Sequence, residues 1–199
     1  MSGLRRWALP GLAGVGYVGL AVAATRGLDG LDRKAFAEVN DDQKRSWLRA
    51  PQQVGTPWVL PLLAGVAWWR DEHRLALAAA AALPVEKSAE VLTKKLSGRP
   101  RPVHTVPATR LRDDAPTDGP SYPSGHAAIA CCAVTLLGRW AGAPVAVPGT
   151  LVALLTGVTR VHQGAHYPGD VLGGALLGVA IGSALGEAME LDWLPDALF

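Results

Sequence analysis

Thr159-Arg160-Val161-His162-Gln163-Gly164-Ala165-His166-Tyr167-Pro168-Gly169-Asp170 sets one arginine, two histidines and one aspartate between two runs of small apolar residues, 145–157 and 171–185. Ionisable side chains are costly in such surroundings, so a function is the first hypothesis for them. His166 and Asp170 are four apart, and a helix beginning near Tyr167-Pro168 sets both on one face. Asp170 can then bond one ring nitrogen of His166, fix its tautomer and leave the other nitrogen free as a base or nucleophile. Arg160 stands just before the pair, where it can hold an anion against the imidazole.

The flanking runs set the context. The chain has 199 residues, enough for a single domain over 1–199. Charged residues are 18% and hydrophobic residues 49%, with 23 glycines. The charges are bunched, and the apolar runs between them approach membrane-spanning length, which points to an integral membrane protein. Mean hydropathy is only mildly positive, at +0.19, because the runs use Ala and Gly more than Leu and Ile; small residues let helices pack closely in lipid. A net charge of +2 gives no support to a nucleic-acid partner. Cys131 and Cys132 are adjacent inside an apolar run, as buried inert thiols would be and a disulfide framework would not.

Outward from the centre, six apolar helices are expected. The first, over 7–24, follows Arg5-Arg6; Ala21-Val22-Ala23 resembles a cleavage site, but the run is long for a signal core and reads as a retained helix. Residues 27–50 read equally as an amphipathic surface helix or an ordered linker. The second span covers 54–69, bent at Pro57 and Pro61, and a polar turn at 70–74 leaves His73 in a solvated loop. The third runs from Leu75 through Glu86, Glu90 and Lys94, which recur every four residues on one face. Glu86 reads as a structural salt-bridge partner and Glu90 as the residue that orients Lys94. A loop rich in Pro, Asp, Thr and Arg extends to Ser121, and a loop of that length in a small protein is functional or disordered. The fourth span begins at Pro123-Ser124-Gly125-His126 and runs to Trp140; the apolar runs flanking the centre make the fifth and sixth. The tail, 187–199, reads as acidic and solvated.

With helix directions alternating, the loops after the third and fifth helices emerge on the same side. Lys94, Arg101, Ser124, His126, Arg160, His166 and Asp170 can therefore converge at one membrane face. Three cations, two imidazoles, a carboxylate and a hydroxyl, with free amides at the Ser124-Gly125 helix start, suit a phosphate. Stabilising charge on phosphoryl oxygens is the main catalytic task in phosphoryl transfer, and this set does so without metal. Metal ligation is the weaker reading, since three cations oppose a divalent ion and one carboxylate accompanies the histidines.

Lys94-x6-Arg101-Pro102, Pro123-Ser124-Gly125-His126 and Arg160-x5-His166-x3-Asp170 together resemble the three-part signature of the type 2 phosphatidic acid phosphatase family. The resemblance covers roughly residues 75–185. Thr159 stands where that family usually has Ser, and a hydroxyl is kept. The resemblance implies an all-α bundle of six transmembrane helices with its active site at one membrane face. It also implies a metal-independent phosphatase acting on a membrane lipid phosphate, with no cofactor. The substrate would be a polyprenyl phosphate or diphosphate, or a phosphatidate-like glycerolipid. His166 would attack phosphorus, Asp170 would orient it, and His126 would protonate the leaving group and then activate water. Lys94, Arg101, Ser124, Gly125 and Arg160 would hold the phosphoryl oxygens. His162 has no motif role and reads as a packed or supporting residue. Arg99 and His104 lie near enough to touch a headgroup, and Tyr167 packs. A vanadium-haloperoxidase-like enzyme is the alternative within the superfamily, and a catalytically inactive lipid-binding or transport module the alternative outside it. Kinship with bacterial lipid phosphatases implies a plasma-membrane protein with an external active face. The distribution of Lys and Arg opposes that, because the positive-inside rule would invert the protein.

Overall fold

Tyr167-Pro168-Gly169-Asp170 starts a helix for local reasons. Pro168 at the first helical position loses no needed amide, and Tyr167 and Asp170 close a capping box, with Asp170 Oδ2 accepting from the Tyr167 amide at 2.9 Å. In the structure, a computed structural model describing residues 7–26, 29–113 and 115–190, every regular element is helical. In chain order these are α1 (Ala8–Arg26), α2 (Asp29–Val39), α3 (Val59–Trp69), α4 (His73–Ser97), α5 (Gly125–Ala141), α6 (Ala143–His162) and α7 (Pro168–Met189). Short turns fill Ser46–Gly55, and a single helical turn sits at Pro102–Thr105.

The core lies between α4, α5 and α7 and is built largely from alanine and glycine. α7 packs most extensively on α5 and then on α1. A Cβ on Gly178 would lie 2.1 Å from the Ala128 carbonyl oxygen, so α5 and α7 meet backbone to backbone. Cys132 is buried in this core and Cys131 half-buried; both are free thiols.

The outward faces are apolar. On α6, Val147, Leu151 and Leu154 are exposed at helical spacing, as are Leu12, Val15, Val18 and Val22 on α1. Apolar faces of this extent suit lipid rather than water. Among the described residues two helices, α6 and α7, are long and apolar enough to cross a membrane by length and composition, while Ala8–Ala24 and Val59–Trp69 are shorter apolar helices. A helix stands at each of the six places where the sequence puts a span, five of them of 17 to 25 residues and α3 of 11, though α4 carries Glu86, Lys87, Glu90, Lys94 and Lys95.

Several expectations need correction. The second apolar run begins its helix at Val59, not at residue 54, and at 11 residues α3 is about 16 Å long, well short of a hydrocarbon core. Pro57 precedes α3 and Pro61 lies in its first turn, where a missing amide costs nothing, so neither bends it. His73 begins α4 with its ring 4.5 Å from that of Trp68, rather than lying in a solvated loop. Residues 29–39 form neither a free surface helix nor a linker: Asp32 and Phe36 are buried on one face of α2, against the segment that starts α7. Glu187, expected in a solvated tail, is buried and pairs with Arg139 at 2.9 Å; residues 191–199 lie outside the described residues.

The backbone contact between α5 and α7 predicts a sharp contrast. Gly178→Val should lower stability by about 3 kcal/mol or more, because overpacking against a backbone carbonyl cannot be relieved by a side chain. Gly14→Ala, where nothing lies within 4 Å of the added carbon, should be neutral or raise stability by up to about 1 kcal/mol. Thermal unfolding of the two variants in the same detergent measures the difference.

Candidate active site

The C-termini of α4 and α6 and the N-termini of α5 and α7 meet at one end of the bundle, and main-chain bonds tie them together. The Ser124 amide donates to the Asp170 carbonyl at 3.0 Å, and the Ser121 amide to the Arg99 carbonyl at 2.8 Å. The Arg101 guanidinium donates to the Ala165 carbonyl at 2.8 Å and to Asp118 at 2.8 Å. The three motif segments are therefore in direct contact with each other.

Asp170 is fully buried and its carboxylate is shared. Oδ1 accepts from Arg99 at 2.7 Å, Oδ2 accepts from the Tyr167 amide, and Oδ2 lies 3.7 Å from His166 Nδ1. The sequence pairing of His166 with Asp170 is thus met in place but not as a formed hydrogen bond, since 3.7 Å is too long for one. His166 also precedes α7 rather than riding on its face. Burial pushes the His166 imidazole down to about 4; Asp170 opposes this, and the charges of Arg160 and Arg101 add to it. His166 is therefore neutral at physiological pH.

Lys94 projects from the last turns of α4, held by Glu90 at 2.5 Å, which is the orienting role expected of Glu90. Glu90 also pairs with Lys87, and Lys87 lies 3.3 Å from the fully buried Glu86. Gly125 is required here by space: a Cβ would fall 2.6 Å from the Glu90 carboxylate. Ser124 precedes α5, and its buried hydroxyl has no hydrogen-bond partner among the described residues. His126 is half-buried in the first turn of α5, within electrostatic reach of Arg160 and His166. The Arg160 guanidinium is buried and donates to Gln163 Oε1 at 2.6 Å. All eight residues expected at the site, Lys94, Arg101, Ser124, Gly125, His126, Arg160, His166 and Asp170, thus lie at this end of the bundle. Among the described residues no group of three or more His, Cys, Asp or Glu converges as a metal site would.

Further residues beyond these eight hold the site in place. Arg99, expected near a headgroup, is instead buried as a strut: it donates to Asp170 and, at 2.6 Å, to Asp32 of α2, and its guanidinium lies 4.4 Å from the Tyr167 ring centroid. Burial works against its charge, but Asp170 and Asp32 outweigh that and hold its pKa above the ordinary value. Asp32 accepts as well from the Gly169 amide at 2.8 Å, at the start of α7. Tyr167 packs as expected, edge-on to Phe36 with centroids 5.6 Å apart. Gln163 is buried beside Arg160, and Asn40 donates to the carbonyls of Arg110 and His162. His162 is structural, with Nδ1 3.1 Å from the Val39 carbonyl oxygen. His104 is exposed and bonds the Thr117 carbonyl at 2.8 Å.

Comparison with known proteins gives a consistent picture. A sequence model described as PAP2 superfamily matches residues 74–190. The chain is 37% identical over 125 residues to decaprenylphosphoryl-5-phosphoribose phosphatase of Mycobacterium tuberculosis, covering 63% of this chain and 67% of that one. It is 41% identical over 91 residues to undecaprenyl-diphosphatase of Sulfolobus acidocaldarius, covering 44% and 42%. Its fold matches the crystal structure of a transmembrane PAP2 type phosphatidylglycerolphosphate phosphatase from Bacillus subtilis, with a TM-score of 0.76 at 20% identity over 94% of this chain and 99% of that one. That likeness shows the fold.

Removing the strut should be severe. Arg99→Met leaves Asp170 and Asp32 buried without their shared cation, and stability should fall by about 3–5 kcal/mol. Asp32→Asn should cost less, and the double variant should be less destabilised than the sum, because both act on one network. Unfolding of the three variants in detergent measures this; additive losses would mean that Arg99 and Asp32 act separately.

Proposed function

The chain belongs to the PAP2 superfamily as a lipid phosphatase, and from that premise we propose that it hydrolyses a polyprenyl phosphate or diphosphate, or a phosphatidate-like lipid, through a phosphohistidine. The observation that carries this reading is the meeting of a buried His166 with three cations and a serine hydroxyl that has no partner among the described residues, at one end of an apolar bundle. The polyprenyl part of the reading is supported by the substrates that name the two relatives.

His166 Nδ1 faces Asp170, so Nε2 is the nitrogen left to attack phosphorus. As the N–P bond forms, the ring becomes cationic; the 3.7 Å gap to Asp170 closes to a hydrogen bond, and the carboxylate stabilises the new charge. The lipid oxygen leaves with a proton from His126. His126 then takes a proton from water, whose oxygen attacks the phosphohistidine, and phosphate and neutral His166 are released. Lys94, Arg101 and Arg160 neutralise the equatorial oxygens, and the Ser124 hydroxyl and the first amides of α5 bond them. Protein cations thus do the work that a divalent ion does elsewhere. α1 and α3 to α7 all cross the bilayer in this reading, with the short α3 completed by the turns before it, and the active end faces outward.

Purified protein in detergent should release phosphate from a lipid phosphate in the presence of a chelator, and vanadate should inhibit it. Loss of activity on chelation, restored by a divalent ion, would overturn the metal-free mechanism. His166→Ala should form no phosphoenzyme with any substrate. His126→Ala should still be phosphorylated by an aryl phosphate, whose leaving group needs little help, and should accumulate acid-labile label. With a lipid alkoxide it should lose about a hundred- to ten-thousand-fold in rate. The reverse labelling pattern would exchange the two roles.

Sidedness has its own test. A cysteine at the exposed Thr117, in a chain lacking Cys131 and Cys132, should react with an impermeant thiol reagent applied to intact cells. Protection there would place the active end inside, as the charge distribution favours.

A further inference from the structure

Gln163 directly follows α6 and takes no part in the proposed reaction, yet it is only 1% exposed. Its main chain is pinned on both sides: the amide donates to the Thr159 carbonyl at 2.9 Å, and the carbonyl accepts from the Arg112 amide at 3.0 Å. The side chain is fixed as well. Oε1 accepts from the Arg160 guanidinium at 2.6 Å, and Nε2 donates to Gln52 Oε1 at 2.6 Å and to Asp113 Oδ2 at 3.2 Å. Arginine only donates and an ionised carboxylate only accepts, so the amide satisfies both ends in this orientation and in no other. Asp113 stays ionised, because the bond from Arg49 holds its carboxyl below the usual carboxylate range.

The brace behind Gln163 is itself anchored. Gln52 lies in the turns of Ser46–Gly55. The hydroxyls of Thr156 and Thr159 on α6 lie 2.6 and 3.0 Å from the carbonyl oxygens of Pro51 and Leu48 in those turns. At the far end of the segment, a Cβ on Gly55 would fall 2.6 Å from the His126 carbonyl oxygen, so the backbone there rests on the start of α5.

Arg160 lies within electrostatic reach of both His126 and His166. A guanidinium grips phosphoryl oxygens through paired N–H bonds in one plane, and the orientation of that plane decides whether both can form. An amide oxygen can hold the plane without adding the negative charge that a carboxylate would set against the cation. We propose that Gln163 is a positioning residue for the phosphoryl transfer: it fixes the plane in which Arg160 meets the phosphate, and Gln52 and Asp113 brace it from behind. This rests on the phosphatase reading above and adds to it a residue to which the motif signature gives no role.

The test uses the full protein in detergent and reads kcat/KM for a polyprenyl monophosphate, the vanadate inhibition constant and thermal unfolding. Vanadate resembles the pentacoordinate transition state, so its affinity reports the grip on the equatorial oxygens. Gln163→Leu should lower kcat/KM roughly tenfold to a hundredfold, as loss of a hydrogen bond to a charged group does, and raise the vanadate constant by a similar factor. Gln52→Leu removes only the brace and should move both quantities the same way by less. Gln163→Glu keeps an acceptor of the same size but sets a charge against Arg160, and should weaken vanadate at least as much as Gln163→Leu. In an Arg160→Lys background, Gln163→Leu should cause a smaller further loss than in the wild type, because both act through one guanidinium. A lowered unfolding temperature with a wild-type vanadate constant in both Gln163 variants would make the residue merely structural and overturn the proposal. A fully multiplicative loss with Arg160→Lys would overturn it too. Should Gln163→Leu fail to fold, Gln163→Glu and Gln52→Leu carry the same comparison. In each of these cases hydrolysis by the wild type still supports the phosphatase reading; a wild type that hydrolyses no lipid phosphate would sink both.

Discussion

The carboxylate of Asp170 is the constraint on which the rest depends. A fully buried charge survives only if it is paired and hydrogen-bonded, and here the partners come from every part of the active end. Arg99 arrives from the segment after α4, the Tyr167 amide from the start of α7, and His166 faces it from the approach to that helix. The Asp170 main-chain carbonyl takes the Ser124 amide as α5 begins. Through Arg99 the network reaches Asp32, so α2 is held down by the same charge. Satisfying one carboxylate thus assembles all three motif segments around the His166 ring.

That arrangement also divides the labour within the proposed mechanism. Arg99 already occupies one carboxylate oxygen, so Asp170 cannot act as a strong base toward His166. Its contribution is to fix the ring and to receive the charge that develops there. The depressed basicity of His166 follows from burial first. A histidine kept neutral by desolvation is ready to attack, and a carboxylate 3.7 Å away is near enough to engage once the ring becomes cationic.

Much of this was legible in the sequence because the relevant spacings are local. The start of α7 at Pro168, the Glu90–Lys94 pair and the convergence of Lys94, Arg101, Ser124, His126, Arg160 and His166 all follow from periodicity, turn chemistry and alternating helix direction. What was not legible depends on long-range pairing. Asp32 and Arg99 are 67 residues apart, and nothing in the composition of 27–50 distinguishes a helix on lipid from one clamped to a buried arginine. The faint signal was the spacing of Asp32, Phe36 and Asn40, one polar-apolar-polar stripe on a single helical face. His73 was misread because an ionisable residue after a charged run suggests solvent, whereas Trp68 offers its ring a surface. The extent of α3 was overestimated because the apolar run includes turn residues that Gly55 and Pro57 interrupt.

The glycine contact between α5 and α7 has a mechanical consequence. His126 rides on the first turn of α5 and Asp170 on the first turn of α7, and main-chain atoms of the two helices meet closely at Gly174 and Gly178. Within the proposed mechanism, the separation of these two groups is therefore set by backbone contact rather than by side chains that can change rotamer.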